Sequence, residues 1–410
     1  MKILILSARL PFPHDTGAKI RAFQLMKALV SRHQVTLLSF YGDRREEEYF
    51  PVFAKMGVRL ATVYRERINR ATGIKEVLAG LSSGMPFTVT KYQDHRMMAA
   101  LTELLPDHDV VHCEHMHMAQ YLLPGHEKIT VLDAHNVEAQ IAERLVPLET
   151  NPVKRALLSW NSGAMSRFEQ RVSSNFDLVL AVSQQDCDCY RKRYGVANAR
   201  VMENGVDLDF FHKASPDVVE QVKLVFVGLM GWMPNSDGVK YFVNEILGKI
   251  RQEFPDVSFD IVGKDPPEDV LALSATPGVR VTGTVDDVRP YVWDAQVYVV
   301  PLRFGGGTRL KILEAFAMHK PVVSTSLGCE GIECRQGSEL LIADTPSEFA
   351  DAVIRLLRDP TLRTDLGNRA ARLVEEHYGW LSLGEKLLLY YDEVLDESSR
   401  GCSVFNKEEM

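Results

Sequence analysis

The sequence predicts an α/β protein built from two doubly wound, Rossmann-like domains in series. Three observations carry that prediction. Short apolar runs alternate with helical stretches from the first residues onward. The alternation stops near residues 205–221 and then begins again. A chain of 410 residues also exceeds the size at which one hydrophobic core stops growing, about 250–300 residues.

The chain opens on Lys2-Ile-Leu-Ile-Leu-Ser7, which reads as a buried strand. A loop with Pro11, Pro13 and Gly17 follows, and then Ile20, Phe23, Leu25, Met26 and Leu29 fall at roughly helical spacing. A second strand at 35–39 completes a βαβ unit, which implies a parallel sheet. Further strands are expected at 58–63, 110–112, 129–132 and 178–182, with helices over 96–105 and 153–171. After the turn-rich connector 204–216, strands at 222–227 and 258–262 each end in glycine, Gly228 and Gly263, with a helix at 239–254 between them. Strands at 279–282, 297–300 and 321–324 alternate with helices at 286–294 and 310–318. The expected domains are therefore 1–205 and 206–384, and the polar segment 398–410 is expected to be a disordered tail.

Composition removes several function classes. Hydrophobic residues at 46% with 25% charged residues make a globular chain, and 27 Gly with 19 Pro is not collagen-like. The first apolar run, 3–6, is too short for a signal peptide, and no window reaches a membrane span. Six cysteines form no disulfide framework, so a reducing cytoplasm is the expected location. Residues 1–200 carry 26 Lys and Arg against 21 Asp and Glu, whereas residues 201–410 carry 21 against 34. That asymmetry argues against a nucleic-acid binder and suits two domains with different partners, one of them an anionic surface. Free drift of surface charge accounts for it equally well.

Ligands of such sheets sit at the carboxyl ends of the strands. Two tandem domains facing a cleft would suit a transferase, with one substrate per domain. The sharpest motif runs from Pro301 to Val323, Pro301-Leu-Arg-Phe-Gly-Gly-Gly-Thr-Arg-Leu-Lys-Ile-Leu-Glu-Ala-Phe-Ala-Met-His-Lys-Pro-Val-Val323. Gly305, Gly306 and Gly307 leave backbone N–H groups open, and Thr308 can cap the helix that follows. Such a helix start receives phosphate oxygens. Arg309 and Lys311 oppose the helix dipole there, which makes sense if an anion arrives. Glu314 can accept hydrogen bonds from ribose hydroxyls. A Gly-rich turn with solvated Arg and Lys is the plain alternative.

Other motifs are weaker. Leu132-Asp-Ala-His-Asn-Val-Glu138 follows a strand directly, so Asp133, His135 and Asn136 are expected at the cleft edge, with Glu138 either on an acceptor hydroxyl or solvated at a helix start. His112-Cys-Glu-His-Met-His117 matches no established zinc spacing and is read as polar residues, Glu114 and His115 among them, lining the acceptor side. Cys187-Asp-Cys189 is not a Cys-x-x-Cys motif. Ser7 to Gly17 is too long and Pro-rich for a dinucleotide turn, which removes the dehydrogenase reading.

These residues resemble the family-four retaining glycosyltransferases of the GT-B fold. Glu314-Ala-Phe-Ala-Met-His-Lys-Pro-Val-Val323 resembles the second Glu of that family's Glu-x7-Glu motif and the segment after it. Lys2 to Ser7 with Pro11 and Gly17 resembles its first strand and glycine loop. Val182-Ser183 with Asn204-Gly-Val-Asp207 resembles the close of its first domain. Val225-Phe-Val-Gly228, Ile261-Val-Gly263 and Val281-Thr-Gly-Thr-Val285 resemble its nucleotide-sugar strands, and Tyr378-Gly-Trp380 its C-terminal segment, with a helix near 385–397 returning to the first domain. Two departures stand out. Gly306 occupies the place of the first Glu, and Leu229-Met-Gly-Trp follows Gly228 where the family has an Arg and a Lys. Arg309 and Lys311 resemble relocated replacements, in a Gly-Gly-Gly-Thr-Arg-x-Lys branch of the family.

The resemblance implies a retaining, metal-independent transfer from a nucleotide-diphosphate sugar to a glycan, lipid-linked or small-molecule acceptor. It implies no further cofactor and no nucleic acid. His135, Arg309 and Lys311 are the expected catalytic groups. The expected donor ligands are Gly17, Gly228, Gly263, Thr284, Gly306, Gly307, Thr308 and Glu314. Glu114, His115, Asn136 and Glu138 are assigned to the acceptor, and none to a metal. A nucleotide-sugar epimerase or hydrolase and a non-catalytic binding subunit remain as rivals. Basic stretches at 64–75 and 151–160 add an expectation of peripheral attachment at the inner membrane face, against a soluble enzyme with solvated Arg faces.

Overall fold

The computed structural model describes residues 1–66, 70–122, 128–214, 222–305 and 310–405. The chain divides into two units, Met1–Glu203 with Leu381–Met410, and Asn204–Trp380.

The first unit is built on seven parallel strands: β1 (Lys2–Ser7), β2 (Gln34–Tyr41), β3 (Arg59–Tyr64), β4 (Val110–Glu114), β5 (Ile129–Ala134), β6 (Leu178–Ala181) and β7 (Ala199–Val201). Their order is β3-β2-β1-β4-β5-β6-β7. Five consecutive residues of β1 are buried, because helices cover both faces of a parallel sheet and leave no polar side to alternate with. The strand order reverses between β1 and β4, where Ser7 lies beside Glu114 in register, and Glu114 beside Asp133 of β5. That reversal opens a crevice at the carboxyl ends of the strands. β7 was not legible in the sequence, since three residues are too few to show a period.

The second unit has six parallel strands: β8 (Lys223–Val227), β9 (Ser258–Val262), β10 (Val279–Gly283), β11 (Val297–Val300), β12 (Val322–Ser324) and β13 (Leu341–Ile342), in the order β10-β9-β8-β11-β12-β13. Its reversal lies between β8 and β11. Phe226, Phe242, Phe259, Phe316 and Phe349 are fully buried in its core. The helix expected from residue 239 starts earlier, at Met233–Tyr241, with Pro234 in the first turn, where its missing N–H is harmless. It then passes through a π-turn, Phe242–Ile246, into Leu247–Arg251.

The last helix spans Trp380–Phe405, longer than the 385–397 expected. Residues 398–405, expected to be disordered, are helical, since extending a nucleated helix needs only one further backbone bond per residue. Residues 406–410 lie outside the described residues. No helix among the described residues is long and apolar enough to cross a membrane.

Candidate functional site

In the second unit, strand ends, a glycine pair and a lysine converge. The Gly228 N–H donates to the Val262 carbonyl at 2.9 Å. Gly263 sits at φ +144°, and a Cβ there would stand 1.8 Å from the Gly228 oxygen. Only glycine lets these two strand ends approach so closely. A Cβ on Gly228 would stand 2.7 Å from both the Lys311 Nζ and the Asn235 Nδ2, so the ammonium lies directly over the carboxyl end of β8.

Lys311 is the second residue of the helix Leu310–Ala317. Its Nζ donates to Asn235 Oδ1 at 2.7 Å and lies 3.9 Å from the Phe226 ring centroid. Asn235 is buried and donates in turn to the Leu229 carbonyl at 2.9 Å, which fixes its amide. Glu314 lies one helical turn beyond Lys311 and is half-buried. Desolvation pushes its carboxyl up to about 7, with the Lys311 charge pulling the other way.

The remaining donor positions divide. Thr284 is exposed just past Gly283, at the end of edge strand β10. Gly306, Gly307, Thr308 and Arg309 lie outside the described residues. Arg303, before the glycines, is committed to Asp237, with Nε to Oδ2 at 2.9 Å and Nη2 to Oδ1 at 2.5 Å.

In the first unit a charged network is buried at the reversal point. Asp133 is fully buried and receives Arg21 through Nε (2.9 Å to Oδ2) and Nη2 (2.5 Å to Oδ1). Arg21 is 1% exposed and also donates from Nη1 to the Met202 and Glu203 carbonyls, at 2.9 and 3.0 Å. His135 Nε2 lies 2.5 Å from Glu114 Oε1 and 3.3 Å from Asp133 Oδ2. Burial would lower the His135 pKa, but the Glu114 charge and the hydrogen bond to Asp133 overcome it and raise it to about 9. Burial likewise opposes ionisation of Asp133, yet Arg21 and His135 hold its carboxyl well below the ordinary range. His112 joins from β4, its Nδ1 2.6 Å from the Tyr391 hydroxyl on the last helix and its Nε2 3.5 Å from Glu114 Oε2.

Glu114, His115 and His135 line a narrow pocket with Ser7, Arg9 and Lys19. Gly17 is the first residue of the helix Gly17–Val30, which Thr16 caps by accepting from the Lys19 N–H at 3.4 Å. Glu114 is 4% exposed at the wall of this pocket, and its carboxylate meets His135 and His112, so it sets the charge of His135. Asp133 is fully buried, whereas His135, 9% exposed, reaches the pocket. Asn136 donates from Nδ2 to Glu138 Oε1 at 3.2 Å, and His115 Nε2 lies 3.8 Å from the same oxygen. Burial raises the Glu138 pKa and holds His115 and His117 neutral, His117 at about 3.

Sequence reasoning missed Arg21, Asn235 and Tyr391. A signal existed for Arg21: it shares the 21, 25, 29 face with buried Leu25 and Leu29. An Arg on a core-facing stripe announces a buried anion. Asn235 and Tyr391 carried no comparable mark.

Both units match known families. The family model described as Glycosyltransferase Family 4 matches residues 16–210, and that described as Glycosyl transferases group 1 matches residues 221–359. The chain is 24% identical over 392 residues to an uncharacterised 44.6 kDa protein of the cps region of Klebsiella pneumoniae, covering 92% of this chain and 96% of that one. Its fold is similar to sucrose-phosphate synthase from Thermosynechococcus elongatus, with a TM-score of 0.72 at 18% identity, over 97% of this chain and 100% of that one. It is also similar to Anabaena HepE in complex with UDP and glucose, with a TM-score of 0.66 at 14% identity, over 96% and 99% of the two chains. The architecture expected from the sequence, two Rossmann-like units of the GT-B type, is the one found.

Proposed function

We propose that this chain, a glycosyltransferase of the group 1 and family-four type, moves a sugar from a nucleotide-diphosphate sugar to a glycan or lipid-linked acceptor, with retention of configuration and without a metal ion. The observation that carries the reading is Lys311 Nζ, held by Asn235 and the Phe226 ring directly over Gly228. A fixed cation beside a glycine strand end suits a diphosphate, which gains negative charge as the glycosidic bond breaks. Arg309, outside the described residues, is assigned the same task from its place in the sequence. Glu314 accepts hydrogen bonds from the ribose hydroxyls, and His135, kept protonated by Glu114 and Asp133, is assigned to the donor sugar from its place in the sequence. The acceptor oxygen bonds to the anomeric carbon on the face the diphosphate leaves, and the acceptor proton passes to the departing oxygen. No nucleophilic side chain is required.

HepE, whose fold is similar, is a protein held with UDP and glucose, which supports a uridine diphosphate sugar as the first donor to try. The test is incubation with uridine, guanosine, adenosine and thymidine diphosphate sugars, with and without acceptor and chelator, followed by NMR of the product. Transfer with the donor's anomeric configuration in the presence of chelator supports the proposal. An inverted product, or loss of activity in chelator that added metal restores, would overturn it. Hydrolysis of donor with no gain from any acceptor would favour the hydrolase.

Membrane attachment forms a separate part of the proposal. The basic stretch 64–75 lies partly outside the described residues. In the helix Pro152–Ser173, Val153, Lys154 and Arg155 are exposed, but Trp160 turns inward and stacks on Phe87 with ring centroids 5.1 Å apart. Failure to co-sediment with anionic vesicles at low salt removes this part alone.

A further inference from the structure

We propose that His115, His117 and Glu138 form a binding site for a divalent transition-metal ion, with Zn²⁺ the best match to the ligand set. One ligand atom from each residue lies within 4.8 Å of the other two. His115 Nε2 and Glu138 Oε1 are 3.8 Å apart, close to the roughly 3.4 Å edge that a tetrahedral zinc shell with bonds of about 2.1 Å would have. Small side-chain rotations close the difference.

Two further observations point to a ligand. His117 Nδ1 is buried with no hydrogen-bond partner among the described residues, and His117 as a whole is only 9% exposed. Buried polar atoms nearly always have a partner, so an orphaned nitrogen in this cluster calls for an ion or a water. The backbone is also shaped for convergence. His115 adopts φ +78°, in the left-handed region that non-glycine residues enter uncommonly. That turn leaves the His115 and His117 rings 4.3 Å apart, although the residues are two positions apart in sequence. Tyr92 stacks on His117 at 5.4 Å, and Asn136 Nδ2 orients Glu138 at 3.2 Å, the outer supports that hold ligands in place.

Two imidazoles and a carboxylate leave a fourth position open, the pattern of zinc sites that keep water or substrate. The ion would tie the loop after β4 to the start of the helix Glu138–Leu145. It belongs to the first unit and takes no part in the leaving-group chemistry assigned to Lys311, and its test reads metal binding directly, without reference to turnover.

The test is isothermal titration of chelator-dialysed full-length protein with Zn²⁺, paired with Co²⁺ titration read by visible absorption. The expected result is one saturable site per chain with a tetrahedral Co²⁺ spectrum. Glu138→Gln and His117→Ala should each weaken Zn²⁺ binding on the order of 100-fold. Glu138→Gln preserves shape and keeps the test valid if His117→Ala does not fold. No saturable site in the wild type, or folded variants binding as tightly as wild type, would overturn the proposal and leave water as the partner of the orphaned nitrogen.

Discussion

Replacing Glu114 with Gln keeps the shape of the buried network and removes the charge that most strongly raises His135. The imidazole moves from its ordinary 6.5 to about 9 in the folded protein because burial, which pulls it down, is outweighed by Glu114 at 2.5 Å and Asp133 at 3.3 Å. A folded-state pKa above the unfolded value means that protonation favours the fold. The stabilisation is complete below about pH 6.5 and is lost as the pH rises through about 9. The shift corresponds to on the order of 3 kcal/mol of stability for the first unit. Glu114 and Asp133, both held low, stay ionised throughout that window and do not mask the effect. Urea denaturation at the two ends of the window should show the wild type losing stability as the pH rises. In Glu114→Gln the loss should be much smaller, with the His135 midpoint lowered by about 1 pH unit or more in an NMR titration. Equal pH dependence in the two proteins would falsify the view that Glu114 sets the charge of His135.

Three other outcomes are expected. Lys311→Ala should lower turnover by roughly 100-fold while changing the donor dissociation constant much less, as for loss of one group that acts on developing charge. Arg303→Ala, which breaks a pair with Asp237, should do far less, and equal effects from the two would place the diphosphate elsewhere. Glu314→Ala should weaken donor binding by about 1.5–3 kcal/mol by calorimetry. With the Glu314 carboxyl near 7, wild-type donor affinity should also fall as the pH drops below that value, and a flat profile would remove Glu314 from the ribose. Gly263→Ala forces a Cβ to 1.8 Å from the Gly228 oxygen, so it should lower the melting temperature at a cost of about 1–3 kcal/mol or more; an unchanged melting curve would contradict the close approach.

The sequence by itself determined the two sheets and much of what lies at their carboxyl ends. Buried parallel strands are short unbroken apolar runs, so β1, β8, β9 and β11 stand out locally, and Gly228 and Gly263 mark their ends within one residue. Lys311 and Glu314 were legible because helical spacing alone puts them on one face. Tertiary structure decided which charges are buried and what each one meets. Arg21 finds Asp133 across 112 residues, Lys311 finds Asn235 across 76, and His112 finds Tyr391 across 279. His115 and His117 read as polar residues lining the acceptor side until the fold set Glu138 beside them. Periodicity encodes which way a side chain points along its own element. Its ionisation and its ligands depend on burial and on charges a few ångströms away, and those neighbours come from distant segments that only packing brings together.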